Sequence, residues 1–288
     1  MKPIMPRSAL FMPGTNARAL EKAQSLACDA VIFDLEDSVA PTMKSAARTG
    51  IAGALDRWSA YGKRRLAVRT NALDHSAFAA DILLARQADV VVVPKVSTRD
   101  ELLACQWALE GSTAALWIMI ETPQAILNIR ELAHGAVTDA PALQAFVLGT
   151  NDLAQGVGVP KVPGRWNMVP WFSEVVLAAA GSGLAVLDSV SNNFRDLEAF
   201  AEECLQGAQL GMVGKTLIHP AQIEACNQAF GPSVEEIDRA KTIISSFDDP
   251  KNADVGAIQI EGEMVERLHL KDAIETIRRA TAFGQFSD

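Results

Sequence analysis

The sequence predicts an α/β chain folded as a (β/α)₈ TIM barrel with a C-terminal helical tail, on three observations. Eight short apolar runs rich in Val, Ile, Leu and Phe alternate with longer stretches of helical period, the signature of parallel βαβ units. Runs such as AVIFDL at 30–35 and ADVVVVPK at 88–95 are apolar on consecutive residues, as strands covered on both faces require. A length of 288 residues suits one barrel of about 250 residues followed by a tail.

The runs, in order, are Ser8 to Pro13, Asp29 to Glu36, Arg65 to Asn71, Asp89 to Lys95, Ala115 to Glu121, Leu143 to Gly149, Leu184 to Val190 and Gly211 to Ile218. Helices are expected over Asn16 to Leu26, Lys44 to Trp58, Phe78 to Gln87, Arg99 to Leu109, Pro123 to Gly135, Trp171 to Ala180, Arg195 to Gln206 and Pro220 to Phe230. Pro123 opens its helix at the first position, where a missing N–H costs nothing. The barrel is expected to be the catalytic domain, residues 1–231. Residues 232–288 form an extension: a charged helix from Val234 to Phe247, a break over Asp248 to Asp254, an apolar run from Val255 to Ile260 and a last helix from His269 to Ala282.

Bulk properties exclude several function classes. A formal charge of −9 disfavours a phosphate-backbone partner, which needs a basic surface. Cys28, Cys105, Cys204 and Cys226 lack CxxC spacing, so neither a zinc site nor a disulfide framework is expected, and the thiols read as reduced in a cytoplasm. No run approaches about 18 apolar residues, so no membrane span is expected. No GxSxG, GxxxxGK[ST] or dinucleotide fingerprint occurs.

Barrel enzymes build their sites at the C-terminal ends of the strands. Here those ends are Asp34-Leu35-Glu36-Asp37, Arg69-Thr70-Asn71, Lys95, Glu121-Thr122, Gly149-Thr150-Asn151-Asp152, Asp188 and His219, so polar groups converge on one rim. A lone strand-end carboxylate is usually a cap or an ion-pair partner. Glu121 and Asp152, on adjacent ends, are either two hard-oxygen ligands for Mg²⁺ or partners of Lys95 and Arg69. Gly149 to Asp152 offers backbone N–H groups suited to a substrate carboxylate. Arg69 either holds a carboxylate or developing oxyanion, or lies in an ion pair with Glu36 or Asp37, or both. Lys95, beside Glu36 and Asp37, reads as an ion-pair lysine, because a Schiff-base lysine needs a lowered pKa. The aromatic stretch WNMVPWF at 166–172 reads either as helix packing or as part of the substrate loop.

The string RSALFMPGTNARALEKAQSLACDAVIFDLEDSVAPTMKSAAR at 7–48 resembles the citrate lyase β-subunit and malyl-CoA lyase family of the HpcH/HpaI aldolase superfamily. The likeness continues through VRTN at 68–71, VPK at 93–95, IET at 120–122, GTNDL at 149–153, LDSV at 187–190 and GKTLIHPAQI at 214–223, in the family's order. It implies a metal-dependent TIM barrel, assembled as a homotrimer or a multiple of it, with Mg²⁺ or in its place Mn²⁺ held by Glu121 and Asp152. Arg69 then faces the reacting carbonyl, while Gly149, Thr150, Asn151 and Glu121 contact the keto acid. Asp34, Glu36, Lys95 and Asp188 support the metal and Arg69, and Asp37 joins the catalytic group. The tail segment GEMVERLHLKDA at 262–273 looks like the family segment whose carboxylate covers an active site, commonly a neighbouring subunit's; Glu266 stands where members usually carry Asp.

The resemblance implies cleavage of a malyl-CoA or citramalyl-CoA type thioester to an acetyl thioester and a keto acid, or the reverse condensation. The alternatives are a citryl-thioester lyase subunit, a metal aldolase acting without CoA, and a non-catalytic assembly subunit. GTNDL, where true citrate lyase β-subunits tend to read GAEDY, tilts the expectation toward free CoA thioesters.

Overall fold

A computed structural model of the chain describes residues 3–252 and 255–286. Eight parallel strands close into a barrel in sequence order: β1 (Ser8–Pro13), β2 (Ala30–Asp34), β3 (Arg65–Arg69), β4 (Val90–Val93), β5 (Ala115–Ile120), β6 (Leu143–Leu148), β7 (Ala185–Asp188) and β8 (Gly214–Leu217). Each expected run holds one strand. Residues on alternate positions point inward, and Ala30, Ile32, Ala67, Val92, Trp117, Met119, Val147 and Leu187 fill the interior, so the barrel is a packed core. Each fully buried Val or Ile side chain contributes roughly 1.5–3 kcal/mol. Gly214 permits closure, because a Cβ there would overlap the carbonyl oxygens of Pro6 and Arg7 just before β1.

The helical layer follows the strands: α1 (Ala17–Ala23), α2 (Lys44–Leu55), α3 (Phe78–Ala85), α4 (Arg99–Ala108), α5 (Pro123–Leu127), α6 (Ile129–Thr138), α7 (Thr150–Val157), α8 (Val169–Ser182), α9 (Leu197–Gln209) and α10 (Ile223–Phe230). Local chemistry sets their starts. Thr98 and Glu101 form a reciprocal capping box on α4, and the Thr122 hydroxyl caps α5 ahead of Pro123. Two differences from expectation stand out here. The helix expected over Pro123 to Gly135 is two helices hinged at Asn128, whose side-chain amide donates to the Ser97 carbonyl at 2.9 Å. The stretch after β6, where no helix was expected, is the first turn of α7. WNMVPWF divides: Phe172 and Met168 are buried as packing residues, whereas Trp166 is 71% exposed.

The chain separates into two compact units, Met5–Ala229 and a second unit that takes in the segment from Phe230 onward. In the second unit α11 (Val234–Asp248) and α12 (Arg267–Ala282) pack with a hairpin of β9 (Ala257–Ile260) and β10 (Glu263–Glu266) around Ile243, Phe247, Ile260 and Val265, a small core of its own. The hairpin was not expected. Its two-residue turn, Glu261-Gly262, has positive φ at both positions (51° and 87°), the geometry of the tight hairpin turn, yet lacks the Asn or Asp that usually advertises it. Residues 253–254, at the end of the expected break, lie outside the described residues. Among the described residues, no helix is long and apolar enough to cross a membrane, and the four cysteines are buried and not cross-linked.

Candidate active site

Register assembles the first part of the rim. Asp34 and Arg69 are lateral partners at the ends of β2 and β3, so both side chains emerge on the same inner face. Asp34 clasps the guanidinium with both oxygens, accepting from Nε at 2.6 Å and Nη2 at 2.8 Å. This leaves Nη1, which lies 2.7 Å from Glu36 Oε2 and 3.6 Å from Asp37 Oδ2, with the ring of Phe11 beneath the guanidinium. Burial works against the Asp34 charge, but Arg69 outweighs it and holds the carboxyl below its usual range. The ion-pair and catalytic readings of Arg69 are therefore compatible: one edge is locked, one end is presented.

Glu121, one residue past β5, is 4% exposed, and its Oε1 accepts the Lys95 backbone N–H at 2.9 Å. Lys95 adopts a left-handed conformation (φ 59°), a costly state for a non-glycine residue and typical of functional sites. Its ammonium lies 3.0 Å from Glu36 Oε1 and 3.9 Å from Asp152 Oδ2. Burial opposes protonation of Lys95, but Glu36 more than compensates and its pKa is raised, as an ion-pair lysine requires. Gly149 serves Glu121 directly, since a Cβ there would overlap the glutamate's Cβ and Oε2. Asp152 sits in the first turn of α7, where backbone N–H groups lack partners within the helix and favour an anion.

Charge is out of balance on this rim. Burial above all, then Glu36 and Asp152, pushes the Glu121 carboxyl up to about 8. Five carboxylates (Asp34, Glu36, Asp37, Glu121, Asp152) meet three cations (Arg69, Lys95 and Lys44), an excess of two negative charges when all five are ionised, and the raised Glu121 carboxyl is the response to that excess. A divalent cation between Glu121 and Asp152 would offset that excess, and an all-oxygen donor pair suits Mg²⁺ or Mn²⁺. Among the described residues no three His, Cys, Asp or Glu side chains converge into a full cage. Mg²⁺ does not need one, because it keeps waters and takes one or two carboxylates.

Not every expected residue joins this cluster. Asp188 points away from the barrel interior, because Leu187 before it faces inward. Its carboxylate is taken by Arg165 Nη1 (2.8 and 3.1 Å) and Lys215 Nζ (2.7 Å), so it supports the strand-helix interface and not the rim. The Asn151 side chain is engaged by Lys161 (2.7 Å) and Asn192 (2.8 Å), and the Thr150 hydroxyl by Ser189 (2.8 Å), which leaves their backbone for a ligand. Asp37 is at the edge, its side chain 63% exposed. Glu266 is an exposed residue of the second unit, where its backbone N–H donates to His269 Nδ1 at 2.8 Å. Lys44 was not anticipated. Its buried ammonium donates to the carbonyls of Leu35 and Glu36, both at 2.7 Å, and so fixes the loop that carries Glu36. An amphipathic helix start gives no sequence signal for that.

Comparison with known proteins places this geometry in context. The profile described as HpcH/HpaI aldolase/citrate lyase matches residues 7–220. A (3S)-malyl-CoA thioesterase of Cereibacter sphaeroides is 41% identical over 97% of this chain and 96% of its own length. An L-malyl-CoA/beta-methylmalyl-CoA lyase of the same organism is 31% identical over 95% of this chain and 94% of its own. Protein CitE of Mycobacterium tuberculosis, solved with magnesium, acetoacetate and coenzyme A, is 26% identical with a TM-score of 0.75, covering 98% of this chain and 100% of that one.

Proposed function

The chain belongs to the HpcH/HpaI aldolase/citrate lyase family, and on that premise we propose that it is a carbon-carbon lyase acting on a malyl-CoA or citramalyl-CoA type thioester. The observation that supports the proposal is the negative rim around Glu121 and Asp152, set beside an arginine whose Nη1 end, paired with Glu36, faces the same cluster. Glu121 and Asp152 would hold Mg²⁺ or Mn²⁺, which when bound supplies Lewis acidity at the substrate's hydroxyl and carboxylate oxygens. The first-turn N–H groups of α7 receive the substrate carboxylate. The 3-hydroxyl gives its proton to water and its oxygen becomes the carbonyl of the released keto acid as the C2–C3 bond breaks; the bonding pair passes to C2 and is delocalised onto the thioester oxygen. Arg69 Nη1, aimed by Asp34, stabilises that enolate oxygen. The tail carboxylate Glu266 returns a proton to C2 and releases the acetyl thioester, serving a neighbouring subunit's site in a homotrimer or a multiple of it.

A second reading, hydrolysis of the thioester, is favoured by the 41% identity to proteins named as thioesterases against 31% for those named as lyases. The two differ in products. Incubation of the protein with (3S)-malyl-CoA and Mg²⁺ is expected to release glyoxylate and acetyl-CoA with no free thiol. Free CoA and malate without glyoxylate would establish the hydrolase instead, and no keto acid and no free CoA from either malyl-CoA or citramalyl-CoA would contradict both readings.

A further inference from the structure

Lys95 stands between the two metal-seat carboxylates and the loop after β2. Its ammonium is 3.0 Å from Glu36 Oε1 and 3.9 Å from Asp152 Oδ2, so a short swing exchanges one carboxylate for the other. The backbone is fixed by its N–H on Glu121 Oε1, but the side chain is 43% exposed and carries its charge on a flexible four-carbon stem. An ammonium closed on Asp152 would occupy the oxygen and offset the charge that a divalent cation needs there. Resting on the metal reading of Glu121 and Asp152 above, we infer that Lys95 competes with the cation for Asp152, and that Lys44 is a positioning residue that restrains it by holding Glu36 within its reach.

Glu36 is built to stay in place. Its carboxylate is 7% exposed and bridges two cations, with Oε2 at 2.7 Å from Arg69 Nη1 while Oε1 meets Lys95. Both sides of its backbone are held: the N–H donates to Asp34 Oδ1 at 3.0 Å, and the carbonyl accepts from Lys44 Nζ at 2.7 Å and, within the loop, from the Val39 N–H at 3.1 Å. Lys44 is the first residue of α2, and its ammonium also holds the Leu35 carbonyl at 2.7 Å, so it ties the loop to the helical layer. Among the described residues Lys44 makes no ion pair. A buried ammonium satisfied by carbonyls is a costly way to hold a loop, and the cost is met where the loop carries the carboxylate that keeps Lys95 off Asp152.

Titration calorimetry with Mg²⁺ separates this role from a merely structural one by its sign. Lys44→Met removes a cation from the rim, which by charge alone should tighten Mg²⁺ binding. Release of Glu36 is instead expected to weaken it by at least ~10-fold, the scale of changes just outside a metal's ligands. Lys95→Met is expected to recover that loss, its gain in affinity being at least ~10-fold larger in the Lys44→Met protein than in wild type. Should Lys44→Met not fold, Glu36→Gln frees the same ammonium and takes its place in the comparison, with the same excess gain expected. Unweakened binding in Lys44→Met, or a Lys95→Met gain no larger than in wild type, would overturn the inference while leaving the metal seat intact. A wild-type protein that binds no Mg²⁺ would overturn the metal reading and the inference with it.

Discussion

Two clusters of buried charge occupy the same barrel, and they are built on opposite principles. Outside β7 and β8, Asp188 and Lys215 are completely buried, yet Asp188 has Arg165 and Lys215 while Lys215 also reaches Glu203 at 3.4 Å. Two carboxylates meet two cations and the charge closes within the chain. Burial opposes the Asp188 charge, but Lys215 and Arg165 outweigh it and its pKa falls. At the rim, by contrast, Arg69 and Lys95 are already committed to Asp34 and Glu36, and Glu121 is left with a carboxyl pushed up to about 8. The lesson is that a self-sufficient charge cluster marks architecture, whereas a buried deficit marks where something from outside is bound.

That contrast breaks most visibly at Lys215. Lys215→Met strips Asp188 of a buried partner and is expected to cost about 3–5 kcal/mol in urea unfolding, the scale for orphaning a buried charge. A loss under 1 kcal/mol would mean that Arg165 alone suffices. At the rim the deficit appears in rate. Arg69→Lys keeps the charge but loses the clasp with Asp34, and turnover should drop by ~10²–10³ in kcat, as for one lost oxyanion donor; an effect confined to KM would make Arg69 a ground-state anchor. Next comes Gly149→Ala, which leaves every charge in place and displaces Glu121 by overlap, with an expected kcat loss approaching ~10². A crystal structure of that variant with Glu121 unmoved would break the link.

The smallest effect is the most diagnostic of sign. The folded protein holds the Glu121 proton up to about pH 8, against an ordinary value of 4.5, so between those limits it binds more protons than the unfolded chain. Stability of the metal-free protein due to this group must therefore fall as pH rises through that window. Glu121→Gln cannot titrate. Its unfolding free energy relative to wild type, measured in chelator, should rise from pH 5 to 8 by at most about 1.4 kcal/mol per pH unit and level off above. A flat difference would show that Glu121 is ionised throughout.

How much of this was legible in the sequence follows from geometry. Strands buried on both faces write themselves as runs like VVVV at 90–93, and the polar residue that ends each run names the rim. Side-chain direction is harder. Asp188 looks like Glu121 when read as a strand end, but the period of two puts Leu187 inward and Asp188 outward, and that parity depends on where the strand sits in the barrel. Helix α7 was hidden because Gly149, Gly156 and Gly158 around a Thr-Asn-Asp sequence read as turn chemistry. The Lys44 anchor rests on a contact between the start of α2 and the loop after β2, which leaves no periodic trace.

The central claim is that the charge deficit at Glu121 and Asp152 is the seat of a divalent cation. Titration calorimetry with Mg²⁺ at pH 8 tests it most directly, on wild type, Glu121→Gln and Asp152→Asn. The account predicts one site per chain in wild type and a loss of at least ~10-fold in affinity in each variant, the scale of second-sphere changes and therefore a floor for lost ligands. Unchanged Mg²⁺ affinity in both variants would contradict it.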